Sequence, residues 1–231
     1  MLNNLKQRIM VRVPSGIPGL DELIEGGFEE GTVNLVTGKT GTCKSIFCMQ
    51  FLYNGIMQSR QKGLYITTED TAENIRRQAA KFGWDFKTLE EKGWISIMEF
   101  EPFDVQMLST KMVESINKLD AKRIVIDSVS MLELYIHNVF EIRKGLFKVI
   151  QKIRDMGKIG LFTAEVQEDS NNLSRFGVIE FMVDSVIVLQ YMGLAKYKRS
   201  LMVRKMRMTN HSSNIHPFEI TDRGVVVRPI K

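Results

Sequence analysis

Cysteine is scarce in this chain. Its 231 residues hold only Cys43 and Cys48, too few for a disulfide framework, so a reducing compartment is expected. The three histidines, His137, His211 and His216, do not cluster with those cysteines at metal-site spacing, which argues against a structural zinc. No apolar run approaches the roughly 18 residues that a membrane-spanning helix needs. The first residues, MLNNLKQRIMVRV, carry Lys6, Arg8 and Arg12 but no unbroken apolar stretch and no small-residue cleavage site, so no secretory signal is read there. These absences predict a cytoplasmic location without membrane contact. Low-complexity tracts, internal repeats and Pro/Gly/Ser-rich linkers are missing too, so a single domain over residues 1–231 is expected. Nor is charge of one sign in large excess. The 32 basic and 27 acidic residues leave +5, which permits contact with a polyanion without arguing for one.

What is present is a globular composition, 44% hydrophobic and 26% charged, arranged as an alternation. Thr32–Val36, Leu64–Thr67, Ile95–Phe100, Ile124–Asp127 and Gly160–Thr163 read as strands. Lys44–Gln58, Ala72–Phe82, Leu108–Leu119 and Glu141–Met156 read as helices between them. That order predicts crossover units and a mostly parallel sheet covered by helices on both faces. The last fifty or so residues change character. Ser185–Tyr191 and Ser200–Met208 read as strands joined around Gly193. Pro217–Ile220 and Val225–Arg228 follow, separated by the turn sequence Thr221-Asp222-Arg223-Gly224. An antiparallel region is therefore expected at the end of a parallel sheet.

The sharpest local feature is Gly38-Lys39-Thr40-Gly41-Thr42-Cys43-Lys44-Ser45, lying between a strand and a helix. This is the context of a phosphate-binding loop. Gly38 and Gly41 let the backbone turn its N–H groups inward, and the helix N-terminus adds partial positive charge. Lys44 would meet the β- and γ-phosphates of ATP, and the Ser45 hydroxyl would join the shell of a Mg²⁺ ion. Cys43 stands where the strict pattern has its last glycine. The plainer alternative is a glycine-containing turn before an ordinary helix. A thiol beside Lys44 at a helix N-terminus is also expected to have a lowered pKa, or else to be a buried, inert side chain.

Three further stretches bear on this loop. Ile124–Asp127 is an apolar strand ending in an acid that could hold the Mg²⁺ hydration shell, or merely cap a turn. Thr67-Thr68-Glu69-Asp70 places two carboxylates after another strand, at the sheet edge where open α/β folds bind ligands. Glu69 is expected to activate water, while the cap of the following helix is read as Thr71 or Asp70, Asp70 having Glu73 to complete a capping box or serving as a second catalytic acid. Finally, Lys196, Lys198, Arg199, Arg204, Lys205 and Arg207 form a basic run without an acid. Strand alternation puts Lys205 and Arg207 on one face, suited to a phosphate in a neighbouring subunit. A solvated edge strand or a nucleic-acid patch are the alternatives.

Other segments fall in line with these. They are Ser15-Gly16-Ile17-Pro18-Gly19-Leu20-Asp21 with Gly26-Gly27, Phe82-Gly83-Trp84-Asp85, Ile126-Asp127-Ser128, Arg175-Phe176-Gly177-Val178 with Phe181-Met182-Val183-Asp184, and Lys205-Met206-Arg207-Met208-Thr209-Asn210-His211. In this order, from about Pro14 to about Val227, the chain resembles the KaiC-like branch of RecA/RadA-type ATPases, as a single-domain, archaeal-type member. The resemblance implies a RecA-like phosphate-loop fold, Mg-ATP bound between subunits, and homohexameric rings or filaments. It gives Glu69 of the paired acids the catalytic role, and Lys205, Arg207 and His211 trans-acting roles. Met208 replaces the glycine of that family's K-x-R-G-T-x-H stretch, a second departure beside Cys43. The family's clock protein has two fused domains, so autokinase and clock functions are not carried over. An ATPase working on a protein partner is the leading expectation. The alternatives are a low-turnover, nucleotide-gated assembly module, or a RadA-like modulator of DNA recombination. The loop Gln167–Arg175, with two acids and one base, counts against strong single-stranded DNA binding there, leaving the Lys196–Arg207 strand as the other contact.

Overall fold

The computed structural model describes residues 11–230 apart from 102–103, 137, 168–169, 171, 176 and 193–196. His137, Phe176, Gly193 and Lys196 thus lie outside the described residues. The described residues open with a small ribbon, β1 (Arg12–Val13) and β2 (Phe28–Glu29), which the sequence had not suggested. Five strands joined by four helical connections follow. They comprise β3 (Val33–Gly38), α1 (Lys44–Ser59), β4 (Gly63–Thr67), α2 (Ala72–Ala80), α3 (Phe86–Glu91), β5 (Ile95–Glu99), α4 (Val105–Leu119), β6 (Arg123–Asp127), α5 (Ser130–Tyr135), α6 (Val139–Asp155) and β7 (Ile159–Glu165). The short α7 (Ile179–Met182) leads into β8 (Ser185–Tyr191), β9 (Arg199–Met206), β10 (Ile215–Thr221) and β11 (Gly224–Val227).

The main sheet has nine strands in the order β11-β10-β9-β8-β3-β7-β6-β4-β5. From β8 to β5 every pairing is parallel, and from β8 to β11 every pairing is antiparallel. The expected mostly parallel sheet with an antiparallel end is what forms. Its central strands are apolar on both faces because both are covered: β6 is buried at all five positions. On one side α1, α2, α3 and the segment around Ile17–Phe28 pack on Val36, Tyr65 and Val125. On the other, α4 and α6 pack on Leu35, Ile66 and Ile126. In α6, Ile142, Leu146, Val149, Ile150 and Ile153 recur at helical spacing and are all buried, so one stripe meets the sheet. Among the described residues no helix is long and apolar enough to cross a membrane.

Several boundaries differ from those read in the sequence, for local reasons. α4 begins at Val105 because Asp104 accepts from the amides of Gln106 and Met107. α6 begins at Val139 because Asn138 caps it in the same way. The helix expected from Ala72 to Phe82 stops at Ala80. Trp84 then stacks between Phe82 and Tyr53, at centroid distances of 4.8 and 5.7 Å, and Asp85 caps the separate helix α3. The strand expected over Ser200–Met208 ends at Met206. A bulge interrupts its pairing with β8, and Met208 is left-handed with φ 53°.

The opening segment is fastened from within. Arg123 is fully buried, with its guanidinium 4.6 Å from the Phe51 ring centroid and donating to the carbonyls of Pro14 and Phe51. Burial pulls this guanidinium down to about 10. Gly19 passes so close to β11 that a Cβ there would lie 2.2 Å from the Val227 carbonyl oxygen. The chain at Pro14–Gly19 is thereby pinned beneath α1 and the last strand.

Candidate active site

Four neighbouring strands, β3, β7, β6 and β4, end at the same edge of the sheet. Register aligns Gly38 of β3 with Glu165 of β7, and Asp127 of β6 with Thr67 of β4. Each strand therefore delivers one functional element to that edge: the loop from Gly38, then Glu165, Asp127, and Glu69 just past Thr67. This carboxyl edge is where open parallel sheets bind ligands.

The loop is shaped for close approach. A Cβ on Gly38 would lie 2.3 Å from the Leu189 carbonyl oxygen, so only glycine fits. The Thr42 hydroxyl donates to the Lys39 carbonyl at 2.8 Å and closes the turn. Lys44 is buried, and its ammonium donates to the carbonyls of Gly38 and Lys39 at 3.0 and 3.1 Å, with Glu165 at 3.8 Å. Thr40 Oγ1 reaches the same Glu165 carboxylate at 3.5 Å. Among the described residues, α2, α4 and α6 have their first N–H groups capped by Thr71, Asp104 and Asn138 side chains, whereas α1 has no side-chain cap. Its N-terminal amides are left for an anion.

Cys43, at the N-cap of α1, is left-handed with φ 77°. That conformation explains why the strict loop pattern has glycine there. The expected lowering of its pKa is not found. Burial raises the thiol, and the opposing pulls of Arg199 and Lys44 are smaller. Its sulfur donates to the Gly41 carbonyl at 3.4 Å.

The carboxylates are each oriented by a hydroxyl. Ser45 hydrogen-bonds the Tyr65 hydroxyl, which donates to Asp127 Oδ2 at 2.5 Å. The Thr163 hydroxyl donates to Asp127 Oδ1. Burial, with Asp127 next to it, pushes the Tyr65 hydroxyl well up, so it stays a proton donor. Ser128 Oγ donates to Glu69 Oε1. Although Glu69 as a residue is exposed, desolvation of its carboxylate raises its pKa. Ser128 and Lys44 oppose the rise, and Glu165 and Asp127 add to it. These groups share a cleft of about 270 Å³ lined by Lys44, Ser45, Glu69, Asp127, Ser128 and Glu165, among others. Hydroxyl and carboxylate oxygens are the donors a hard cation takes, and Mg²⁺ needs only one or two protein carboxylates when phosphates supply the rest. Among the described residues no three His, Cys, Asp or Glu side chains form a cage of their own.

Ser128 and Glu165, which line this cleft, and Tyr65, fully buried against Asp127, are the residues to which sequence reasoning gave no role. Glu165 had a signal: like Asp127, it is an acid at the end of a buried strand, obscured by ending β7 at Thr163. Asp70 is not the helix cap. Thr71 takes that place, accepting from the Asn74 amide. The Asp70 carboxylate instead accepts from the Thr71 amide and from the side chains of Asn74 and Gln78, each at 2.8 Å. It faces its own helix rather than the cleft.

The structure does not bring Lys205, Arg207 or His211 to this cleft. Met206 pairs with Ser185, which pairs with Asn34 near the start of β3, whereas the phosphate loop leaves its other end. Lys205 donates to the carbonyls of Glu180 and Val183 at 3.0 and 2.7 Å. Burial, and Arg207 beside it, pull its ammonium below the usual value. Arg207 lies just past the strand, donates to the Phe181 carbonyl at 3.4 Å and sits 3.7 Å from Asp184. Both cations thus converge on one turn at the far end of the sheet, although Arg207 lies beyond the strand over which alternation had placed it on the face of Lys205. His211 Nδ1 meets the Ser212 carbonyl at 3.0 Å. In the loop after β7, Glu168 and Asp169 lie outside the described residues.

Comparison with known proteins accords with this geometry. A family model described as "ATPase: KaiC" matches residues 13–231. The chain belongs to the KaiC ATPase family. The UPF0273 protein MJ1359 of Methanocaldococcus jannaschii is 37% identical, the match covering 96% of this chain and 98% of that protein. The circadian clock oscillator protein KaiC of Synechococcus elongatus is 31% identical over 99% of this chain but only 46% of its own length. The crystal structure of the KaiC-like protein PH0186 from Pyrococcus horikoshii superposes with a TM-score of 0.87 at 41% identity, covering 95% of this chain and all of that one. A single KaiC-like unit with the RecA-type, nucleotide-binding fold is therefore what this chain carries.

Proposed function

We propose that this KaiC-family protein is a cytoplasmic, Mg-dependent ATPase, one domain over residues 1–231, that works as a homo-oligomer with each nucleotide site completed by a neighbour. The observation that carries this reading is the separation of its two halves. Lys44, Ser45, Glu69, Asp127 and Glu165 share one cleft, while Lys205 and Arg207 present their cations at the opposite end of the same sheet.

In this reading residues Gly38 to Ser45 wrap the phosphates with backbone amides, and His211 of the adjoining copy adds to nucleotide affinity. Lys44 exchanges its hold on the Gly38 and Lys39 carbonyls for phosphate oxygens. Ser45 and Asp127, already linked through Tyr65, are the residues that would hold Mg²⁺, which when bound neutralises phosphate charge. Glu69, kept in place by Ser128 and with its pKa raised, accepts a proton from the attacking water. Asp70 steadies the helix behind it. Arg207 and Lys205 of the neighbour stabilise charge on the transferring group. Such fingers are worth roughly 10³–10⁵ in rate where measured.

The test is complementation. Lys44→Ala and Arg207→Ala chains are each expected to be nearly inactive, and mixing them should restore part of the ATP turnover, because some interfaces pair an intact loop with an intact finger. A mixture that stays dead although hetero-assembly is verified refutes the shared site. Adding single-stranded DNA to the same assay separates a recombination modulator, whose turnover it would stimulate.

A further inference from the structure

The segment carrying Arg207, Thr209 and His211 is held by a residue outside it. Arg12, in β1, spreads its guanidinium over four acceptors. One terminal nitrogen donates to Thr209 Oγ1 at 2.9 Å and to the Gly27 carbonyl at 3.3 Å. The other donates to Glu25 Oε2 at 3.1 Å and to the Met208 carbonyl at 3.2 Å. Thr209 in turn donates its hydroxyl proton to the Arg207 carbonyl at 3.1 Å. The same segment is tied at its start, where the Arg207 amide donates to the Asp184 carbonyl, and near its end, where the Ser212 amide donates to the Leu23 carbonyl. Between those two points lies Met208, left-handed at φ 53°, a conformation that a non-glycine residue keeps only where its surroundings insist. Arg12 is the side chain that holds the carbonyl of Met208. Its side chain is 17% exposed, so its donors are largely committed to protein. Its planar fork can serve several oxygens at once, which a lysine cannot do.

We infer that Arg12 is the positioning residue of the trans-acting segment: it fixes the backbone from Arg207 to Thr209 so that Arg207 arrives at the neighbour's phosphates in a single geometry. The inference rests on the shared-site reading above. It assigns Arg12 no part in its own chain's cleft, from which it is remote, because β1 and β2 lie beside the Arg207 end of the sheet. A displacement of about 1 Å in a catalytic group can cost on the order of 10²-fold in rate, so a loosened segment is expected to lower turnover by roughly 10- to 10²-fold in Arg12→Ala. Arg12→Lys keeps the charge but not the fork and should recover only part of the loss.

Complementation tells this role from a merely structural one. Arg12→Ala chains have an intact phosphate loop and a misplaced finger. Mixed with Lys44→Ala chains, whose fingers are intact, they should regain ATP turnover as Arg207→Ala chains do. Mixed with Arg207→Ala chains they should regain nothing. The inference is overturned if Arg12→Ala retains full activity alone, if it complements Arg207→Ala, or if it complements neither partner while co-assembling with both. If instead the reference mixture of Lys44→Ala and Arg207→Ala is itself dead in verified hetero-assemblies, the shared site has failed and the role of Arg12 falls with it.

Discussion

Cys43 and Met208 share a left-handed backbone, with φ 77° and 53°, and each stands where its motif otherwise has glycine. One lies in the phosphate loop and the other beside Arg207. Both departures from the pattern therefore replace the side chain and keep the conformation.

Restoring glycine at either place should stabilise the fold. The left-handed region costs a non-glycine residue about 1–2 kcal/mol, and glycine's extra freedom in the unfolded chain offsets about 0.4–1 kcal/mol. Cys43→Gly and Met208→Gly are each expected to gain about 0.5–1 kcal/mol in denaturant unfolding. Cys43→Ala keeps the Cβ and should gain nothing. Equal behaviour of the alanine and glycine variants would count against backbone strain at that position.

Lys44→Ala should sharply weaken ATP binding, because the loop then has amides but no ammonium for the phosphates. Ser45→Ala should leave nucleotide binding largely intact and weaken its response to Mg²⁺. Calorimetric titrations with and without the cation check both. Unchanged ATP affinity in Lys44→Ala would show that the loop is not a phosphate site.

Glu69→Gln should lower turnover by about 10²-fold or more while nucleotide affinity survives. The pKa of Glu69 is raised above its ordinary value, and the base must be ionised to act. Activity should therefore fall with decreasing pH at a point above that of an ordinary glutamate. Ser128 holds that pKa down, so Ser128→Ala should move the acid limb to higher pH. A shift to lower pH, or none, would remove Glu69 from the proton transfer. Asp70→Asn, whose contacts are within α2, should affect thermal stability more than turnover.

Cys43 should react slowly with alkylating reagents at neutral pH. Its thiol is raised by burial, and the thiolate is the reactive form. The measured alkylation rate should lie below that of a free thiol in the same buffer. A faster rate would restore the activated cysteine that its place beside Lys44 suggests.

Which parts of this were legible in the sequence follows from the range of the interactions involved. β3 and β6 could be read because burial on both faces leaves an unbroken apolar run, and the phosphate loop because its amides need glycine at fixed offsets. The starts of α1 and α2 could be read at Lys44 and Ala72, whereas α4 reads late, at Leu108 rather than Val105, because apolar spacing shows only once the helix has turned and Asp104 acts before that. Tyr65 reads as one more core residue, since its role depends on β4 lying beside β6 in the register that puts its hydroxyl on Asp127. The grip of Arg12 on Met208 spans most of the chain and has no local signature. The two readings of Cys43, activated or buried and inert, could not be separated in sequence because the neighbouring charge is visible there and the burial that raises the thiol is not.

The sheet has the Gly38–Ser45 loop at one end of its strands and the Lys205 and Arg207 cations at the other, and in the proposed shared site this gives each molecule a head and a tail. Copies that meet through these ends join in one direction, as links with complementary couplings do. An open row always leaves one loop at its end without a finger, so it holds one finished site fewer than it has subunits, and short rows suffer most. Only a closed ring has no unfinished end. Under the proposed shared site, activity per chain is tied to how the row terminates, and an isolated subunit would have both halves of the machine and no means of bringing them together.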